Sequence, residues 1–165
     1  MAENRRRRPP LWKCPRCARK FANRNQTHTC GRHGLASHFA GRDPVIREIY
    51  ERFVRAVRAI GPVRILPQKT RIAFQVRMSF AQLTPRARWI DGHVVLARPA
   101  ANPIFRDVQT FSPRNHLHTF RLHSPDEVTG DLRRFLAEAY AVGRQEHLRD
   151  RPRTGTDKPR QDESV

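Results

Sequence analysis

The 165-residue sequence is poor in cysteine, in acidic side chains and in long apolar runs. Three cysteines cannot all pair with one another, which argues against a secreted scaffold held by disulfides. No apolar run approaches the roughly 18 residues of a membrane span. The N-terminal "MAENRRRRPPLW" is followed by no apolar segment of the kind a secretory signal contains. The sequence therefore predicts a soluble, cytoplasmic protein without a membrane partner.

The scarcity of acidic residues leaves a large positive charge. Only 15 acidic residues oppose 33 lysines and arginines, so the formal net charge is +18. Codon bias in a GC-rich genome explains the preference for arginine over lysine, but it does not explain the excess of positive charge. Half of that excess lies in residues 1–34, where Glu3 is the only acidic residue. The imbalance indicates an anionic partner, namely nucleic acid or another polyanion.

The three cysteines that are present lie close together. Cys14-Pro-Arg-Cys17 is a Cys-x-x-Cys pair, and His28-Thr-Cys30 follows it. Two ligands separated by two residues fit one tight turn, and zinc takes four such sulfur and nitrogen ligands in a tetrahedron. Four protein ligands leave no position for water, so the pattern predicts one structural Zn²⁺ per chain, bound by Cys14, Cys17, His28 and Cys30.

Other interpretations of these residues stay open in the sequence. A redox Cys-x-x-Cys motif is one, although it normally lies between a strand and a helix. Unligated surface thiols are a second. In a third, Cys30 is a bystander and His33 or His38 supplies the fourth ligand.

Composition divides the chain into four segments. Residues 1–10, with Arg5, Arg6, Arg7 and Arg8, are expected to form a disordered basic arm because like charges repel and no core is possible. Residues 11–34 form the predicted zinc knuckle, and residues 43–148 an α+β domain. Residues 149–165, rich in Pro, Gly and mixed charge, are expected to be a disordered tail.

Periodicity predicts a helix, five strands and a second helix within 43–148. Asp43 and Pro44 mark a helix start, Gly61 marks its end, and the apolar stripe between them has helical spacing. A second helix is predicted after the capping box Ser124-x-x-Glu127. The predicted strands are Val63–Leu66, Thr70–Phe80, His93–Ala97, Phe105–Phe111 and His116–Leu122. The expected fold is an α+β sandwich with a mostly antiparallel sheet, preceded by the zinc knuckle.

Four stretches of the sequence resemble a known family. They are the Cys-Pro-x-Cys pair, "FANRNQTHTC" (Phe21–Cys30), "PQKTRIAFQVR" (Pro67–Arg77) and "YAVGRQEH" (Tyr140–His147). In this order they resemble a bacterial family catalogued as domain of unknown function 5655, over roughly Leu11–Leu148. The resemblance implies the same four zinc ligands and the same fold, and it implies no activity. The sequence departs from the family at Ala18, where many relatives have Gly.

Basic residues on the predicted sheet and in its loops suggest an anion-binding surface. If the second and fifth predicted strands are neighbours, their polar faces form one cationic patch, in which arginine forks bind phosphate. The residues expected to contact nucleic acid or another polyanion are Arg5, Arg6, Arg7, Arg8, Trp12, Lys69, Arg71, Arg77, Arg114 and Arg121. Trp12 stacks on bases in this interpretation, whereas in the alternative it packs with Phe21 as the core of the knuckle.

Three functions are compatible with these residues. The favoured one is a zinc-containing module that binds nucleic acid and is not catalytic. The second is a small metal-independent phosphodiesterase or nuclease, in which His116 and His118 act as acid and base and Lys69 stabilises charge. A less favoured alternative is that the same two histidines form a second metal site together with His123. The third is an adaptor that binds acidic proteins. The sequence contains no carboxylate pair, nucleophile elbow or phosphate loop that favours another chemistry.

Overall fold

The structure is a computed structural model that describes residues 8–28 and 30–149. The predicted basic arm at 1–10, which includes Arg5, Arg6 and Arg7, lies outside this part of the chain except for residues 8–10. The predicted tail at 149–165 lies outside it except for Arg149.

A small hairpin precedes a domain that consists of one helix, six strands and a second helix. The hairpin strands are β1 (Trp12–Lys13) and β2 (Lys20–Phe21). The domain contains α1 (Pro44–Ile60), β3 (Arg64–Pro67), β4 (Ile72–Gln75), β5 (Ser79–Pro85), β6 (Ile90–Leu96), β7 (Asp107–Ser112), β8 (Asn115–Leu122) and α2 (Gly130–Gly143). Short 3₁₀ turns lie at Leu35–His38, Pro125–Glu127 and Glu146–Leu148.

Both ends of α1 follow from local sequence. Asp43 accepts a hydrogen bond from the backbone N–H of Val45 at 3.0 Å, and Pro44 occupies the first turn, where no N–H is needed. The helix ends at Ile60, directly before Gly61. The predicted limits of this helix are confirmed.

The six-stranded sheet is antiparallel throughout. Its strand order is β3-β4-β5-β6-β8-β7, so each strand up to β6 pairs with the next one in sequence, and β8 then lies between β6 and β7. The longest pairing joins β6 to β8, from Ile90 opposite Leu122 to Leu96 opposite His116. The predicted α+β class with an antiparallel sheet is confirmed, with six strands in this sheet instead of five.

Both helices pack into one apolar core on the sheet. Phe53 of α1 lies 5.1 Å from the ring of Phe74 on β4 and 6.1 Å from that of Phe120 on β8. Tyr140 of α2 lies 5.4 Å from the ring of Phe80 on β5, and its hydroxyl donates to the carbonyl of Pro62 at 2.7 Å. These aromatic contacts join the two helices to three of the strands.

The prediction of one strand over Thr70–Phe80 is wrong. The chain reverses at residues 76–78, where the N–H of Met78 donates to the carbonyl of Gly143 at 2.9 Å, so β4 and β5 form a hairpin. All four residues of β4 are buried, whereas the prediction placed alternate residues on a polar face.

The N-terminal hairpin contacts the sheet at its β3 edge. The carbonyl of Lys20 accepts hydrogen bonds from Arg64 of β3 at 3.0 Å and from Gln75 of β4 at 3.4 Å.

The second helix begins later than its capping box. The Glu127 carboxylate accepts from the N–H of Ser124 at 3.1 Å, as the capping box predicts, but the box closes a 3₁₀ turn. Thr129 is the cap of α2, because its hydroxyl accepts from the N–H of Leu132 at 3.3 Å. The helix faces the core through Leu132 and Leu136, which are fully buried.

Candidate metal centre

The N-terminal hairpin holds the first two cysteines on a tight turn. We call residues 11–34 the knuckle. The N–H of Cys14 donates to the carbonyl of Arg19 at 2.8 Å, and the N–H of Ala18 donates to the carbonyl of Cys14 at 2.9 Å. Ala18 closes the turn with φ +60°, in the left-handed region that favours glycine. This backbone conformation suits Gly better than Ala.

The second ligand pair lies opposite this turn. The Nε2 atom of His28 is 3.3 Å from the sulfur of Cys17 and 3.3 Å from the sulfur of Cys30. The sulfurs of Cys14 and Cys30 are 3.8 Å apart, and the donor atoms of all four residues lie within 4.8 Å of one another. The structure thus brings together all four ligands that the sequence predicts.

The spacing of these atoms fits a tetrahedral metal site. With Zn–S near 2.3 Å and Zn–N near 2.0 Å, a regular tetrahedron places two sulfurs about 3.8 Å apart and a sulfur and a nitrogen about 3.5 Å apart. The observed 3.8 and 3.3 Å are close to both values. Three sulfurs and one imidazole nitrogen form a set that zinc binds readily, so the residues present fit the metal.

A carbonyl in the knuckle orients the histidine. The carbonyl of Gln26 lies 2.6 Å from Nδ1 of His28 and raises the pKa of the imidazole. Because Nδ1–H donates to this carbonyl, Nε2 is left as the ligand atom, and it is Nε2 that faces the sulfurs.

The thiols differ in acidity. Burial opposes ionisation of Cys14, but the backbone N–H groups of Cys17 and Arg16 donate to its sulfur and lower the pKa of the thiol to about 6. Burial raises the pKa of the Cys30 thiol, and the neighbouring sulfurs of Cys14 and Cys17 raise it further. The first thiol ionises readily, and its negative charge opposes ionisation of the next thiol. A bound divalent cation relieves this repulsion between thiolates.

The aromatic residues of the knuckle pack beside the ligands. Phe21 is buried, and its ring centroid is 4.2 Å from that of His28. The Trp12 ring lies 6.1 Å from Phe21 and 6.2 Å from His28. Trp12 and Phe21 therefore pack together beside the ligands, as in the alternative in which they form the small core of the knuckle, and Trp12 is partly buried.

The other interpretations of the cysteines do not match the geometry. Cys17 is followed by the short strand β2 and not by the helix that a redox motif requires. Neither His33 nor His38 joins the four-residue cluster, and His38 is buried elsewhere, under the 3₁₀ turn. Within the described residues no second group of metal ligands forms at His116, His118 and His123.

The two histidines proposed as acid and base are structural groups of β8. His118 is completely buried; its Nε2 accepts from the N–H of Ala100 at 2.9 Å, and its Nδ1 lies 3.0 Å from the carbonyl of His116. Burial lowers the pKa of His118. His116 bonds Thr110 at 2.9 Å and the carbonyl of Pro113 at 3.2 Å. Because both nitrogens of each ring are engaged and both rings are buried, the geometry argues against an acid–base pair.

The predicted cationic patch on the sheet does not form as expected. Its premise was that the strands now seen as β4 and β8 are neighbours, and this is wrong because β5 and β6 lie between them. Lys69 is exposed in the turn before β4, and Arg71 bonds the side chain of Gln68 at 2.6 Å. Arg121 forms an ion pair with Asp91 at 2.7 Å and lies over the ring of Trp89.

Three other predicted arginines converge on the segment after α2. Arg8 donates to the carbonyl of Arg144, and Arg77 donates to Gln145 at 3.0 Å and to the carbonyl of Pro9 at 3.0 Å. Arg114 donates to the carbonyl of His147 at 2.7 Å. We call Arg8, Arg77, Arg114, Arg144 and Arg149 the arginine cluster. The prediction missed Arg144 and gave Arg149 no role, although Arg144 lies within the "YAVGRQEH" stretch that carried the resemblance and Arg149 lies two residues beyond it.

The positive charges in the arginine cluster repel one another. Desolvation, followed by the charges of Arg149, Arg77 and Arg144, lowers the pKa of Arg8. Glu146 offsets part of this charge through an ion pair with Arg144 at 3.1 Å. One guanidinium nitrogen of Arg8 is buried and has no hydrogen-bond partner among the described residues. The geometry leaves positive charge that an external anion can neutralise.

The fold and the site define a small α+β protein with an N-terminal Cys₃His cluster whose geometry fits a metal ion. Neither α-helix in the described part of the chain has the length and apolar character that crossing a membrane requires.

A family model described as Domain of unknown function (DUF5655) matches residues 35–143, and the chain belongs to this family. The match begins after the knuckle, so the metal cluster lies outside the matched residues. The comparisons with curated proteins and with solved structures give no match.

Proposed function

We propose that this protein is a zinc-containing module that binds nucleic acid through phosphate contacts and is not catalytic. The observation that carries the proposal is the pairing of a Cys₃His cluster with the arginine cluster. Pro9 links the two, because its carbonyl accepts a hydrogen bond from Arg77 just before the chain enters the knuckle.

Zinc has a structural role in this proposal. Cys14, Cys17, His28 and Cys30 supply four ligands, so no position is left for a reacting water. The knuckle has only a few apolar side chains to bury, of which Phe21 is the most enclosed. A bound metal supplies the stability that such a small core lacks, and it holds the chain that leads from Arg8 to the domain.

Phosphate is the anion that suits the arginine cluster. Guanidinium groups bind phosphate oxygens with two parallel hydrogen bonds, and nucleic acids present closely spaced phosphates. Arg8 continues directly into Arg5, Arg6 and Arg7, which extend the run of positive charge in sequence. Because Trp12 packs in the knuckle, binding in this proposal depends on the phosphate backbone and not on stacking of bases.

A salt titration with matched variants tests the proposal. Binding of a mixed-sequence oligonucleotide is measured against salt concentration for the wild type, for Arg8→Gln/Arg144→Gln in the arginine cluster, and for Arg88→Gln/Arg106→Gln. The last two arginines are exposed, and the control removes the same charge. Each lost phosphate contact lowers the slope of log affinity against log salt by about 0.7 to 0.9, so the cluster variant is expected to lose about 1.4 to 1.8 and the control less than about 0.5.

The outcome separates this function from its competitors. Equal losses in both variants would mean that binding responds only to net charge, and the arginine cluster would have no special role. No binding of nucleic acid by the zinc-loaded, folded protein would refute the proposal and favour the adaptor that binds acidic proteins. Cleavage of the oligonucleotide that disappears in His118→Gln would favour the nuclease.

A further inference from the structure

A groove between the two helices carries positive charge that the arginine cluster does not explain. It is an open groove of about 560 Å³ between the second half of α1 and the first half of α2. Three guanidinium groups and three apolar side chains line it: Arg52, Arg55, Arg133, Ala56, Ala59 and Ile60. A volume of this size is within the range of sites for small organic ligands.

The arginines of this groove have no acidic partner in the described part of the chain. No carboxylate lines the groove, and in the described ranges none of Arg52, Arg55 and Arg133 forms an ion pair. The Nε atom of Arg52 is buried and has no hydrogen-bond partner among the residues that the structure describes. A buried donor without a partner is rare in folded proteins, because its lost contact with water is not replaced.

The apolar residues narrow the chemistry of the ligand. Ala56, Ala59 and Ile60 come from adjacent turns of α1 and contribute aliphatic side chains to the lining of the groove. Arginine binds phosphate through its edge and stacks on aromatic rings through its face. Three arginines around an aliphatic surface therefore suit an anion that carries a flat ring better than a simple inorganic ion.

We propose that the groove between α1 and α2 binds a small organic phosphate that carries an aromatic ring, of the size of a mononucleotide. Arg52 and Arg133, one from each helix, contact the phosphate, and the ring lies against Ala56, Ala59 and Ile60. The site is separate from the arginine cluster: Arg133 and Arg144 are eleven residues apart on α2, which is about 16 Å along the helix axis. The inference therefore does not rest on the function proposed above.

Calorimetry with a charge-matched pair of variants tests this site. The probes are adenosine monophosphate, inorganic phosphate and adenosine, titrated at physiological salt into the full-length protein. The groove variant is Arg52→Gln/Arg133→Gln. The control is Arg58→Gln/Arg134→Gln, which also removes one exposed arginine from each helix but leaves the groove lining intact.

The expected result is saturable binding of adenosine monophosphate, tighter than that of either inorganic phosphate or adenosine. The groove variant is expected to lose at least about tenfold in affinity and the control less than about twofold. Circular dichroism of each variant establishes that it is folded. No saturable binding by the wild type, or equal weakening in the two variants, would overturn the proposal. Equal affinity for inorganic phosphate would overturn the assignment of an organic ligand.

Discussion

His93 on β6 makes the stability of this protein sensitive to acid. Burial, followed by the nearby positive charge of Arg71, lowers the pKa of His93 from 6.5 to about 4. The fold therefore favours the neutral ring. Its contribution to the free energy of unfolding is fully present above pH 6.5 and is lost as the pH falls toward 4, because the unfolded chain takes up the proton first.

The size of this effect follows from the two pKa values. At about 1.4 kcal/mol per pH unit, the interval from 6.5 to about 4 corresponds to about 3 kcal/mol. The ring is only half-buried, so water screens part of the interaction, and we expect about 1 to 2 kcal/mol. His93→Gln keeps a polar side chain opposite Gln82 and Thr119 and removes the titration.

Denaturation by urea at pH 7 and at pH 4.5 measures the difference. The wild type is expected to lose about 1 to 2 kcal/mol more than His93→Gln between these pH values. Other buried histidines and any bound metal respond to acid in both proteins, so their effects cancel in the comparison. His123→Gln, at an exposed position, is the control and is expected to follow the wild type. Parallel curves for His93→Gln and the wild type would show that His93 does not titrate in this range.

Three further predictions concern the knuckle and the core. Wild-type protein purified without added zinc is expected to contain about one equivalent by metal analysis, and Cys14→Ser to contain almost none; a metal-free wild type with intact thiols would refute the site. Ala18→Gly relieves a positive φ and is expected to tighten zinc binding about two- to fivefold in competition with a chelator. Ala22→Gly, whose φ is negative, is its control and is expected not to tighten binding. Gly92→Ala is expected to cost about 1 to 3 kcal/mol in urea denaturation, because a Cβ there meets the buried ring of Phe120. Unchanged stability of that variant would show that Phe120 moves freely.

Short-range patterns were sufficient for part of this protein. The limits of α1 depend on Asp43, Pro44 and Gly61, which act on their immediate neighbours, and they were predicted correctly. The four metal ligands were also predictable, because Cys-x-x-Cys and His-x-Cys are each a local pair of ligands. The only further assumption was that the two pairs come together at one site. In both cases the relevant interaction spans few residues, so it can be recognised without knowing the fold.

The order of the strands was decided by tertiary structure. Alternating residues from Thr70 to Phe80 predicted one strand. The chain instead turns at Met78, whose N–H donates a hydrogen bond to the carbonyl of Gly143. The same strand order separates β4 from β8, and it buries His118 where Ala100 donates to it. A periodic pattern reports which side chains are apolar but not which distant strand lies beside them.

The basic surfaces were also a product of the fold. Composition established a positive charge of +18, from which an anionic partner was predicted, without indicating where the charge concentrates. Arg8 meets the carbonyl of Arg144 across 136 residues, and Arg52 shares a groove with Arg133 because α1 and α2 pack on the same core. Electrostatic potential depends on distances in space. Those distances are determined by packing of the apolar faces, to which the arginines themselves contribute little.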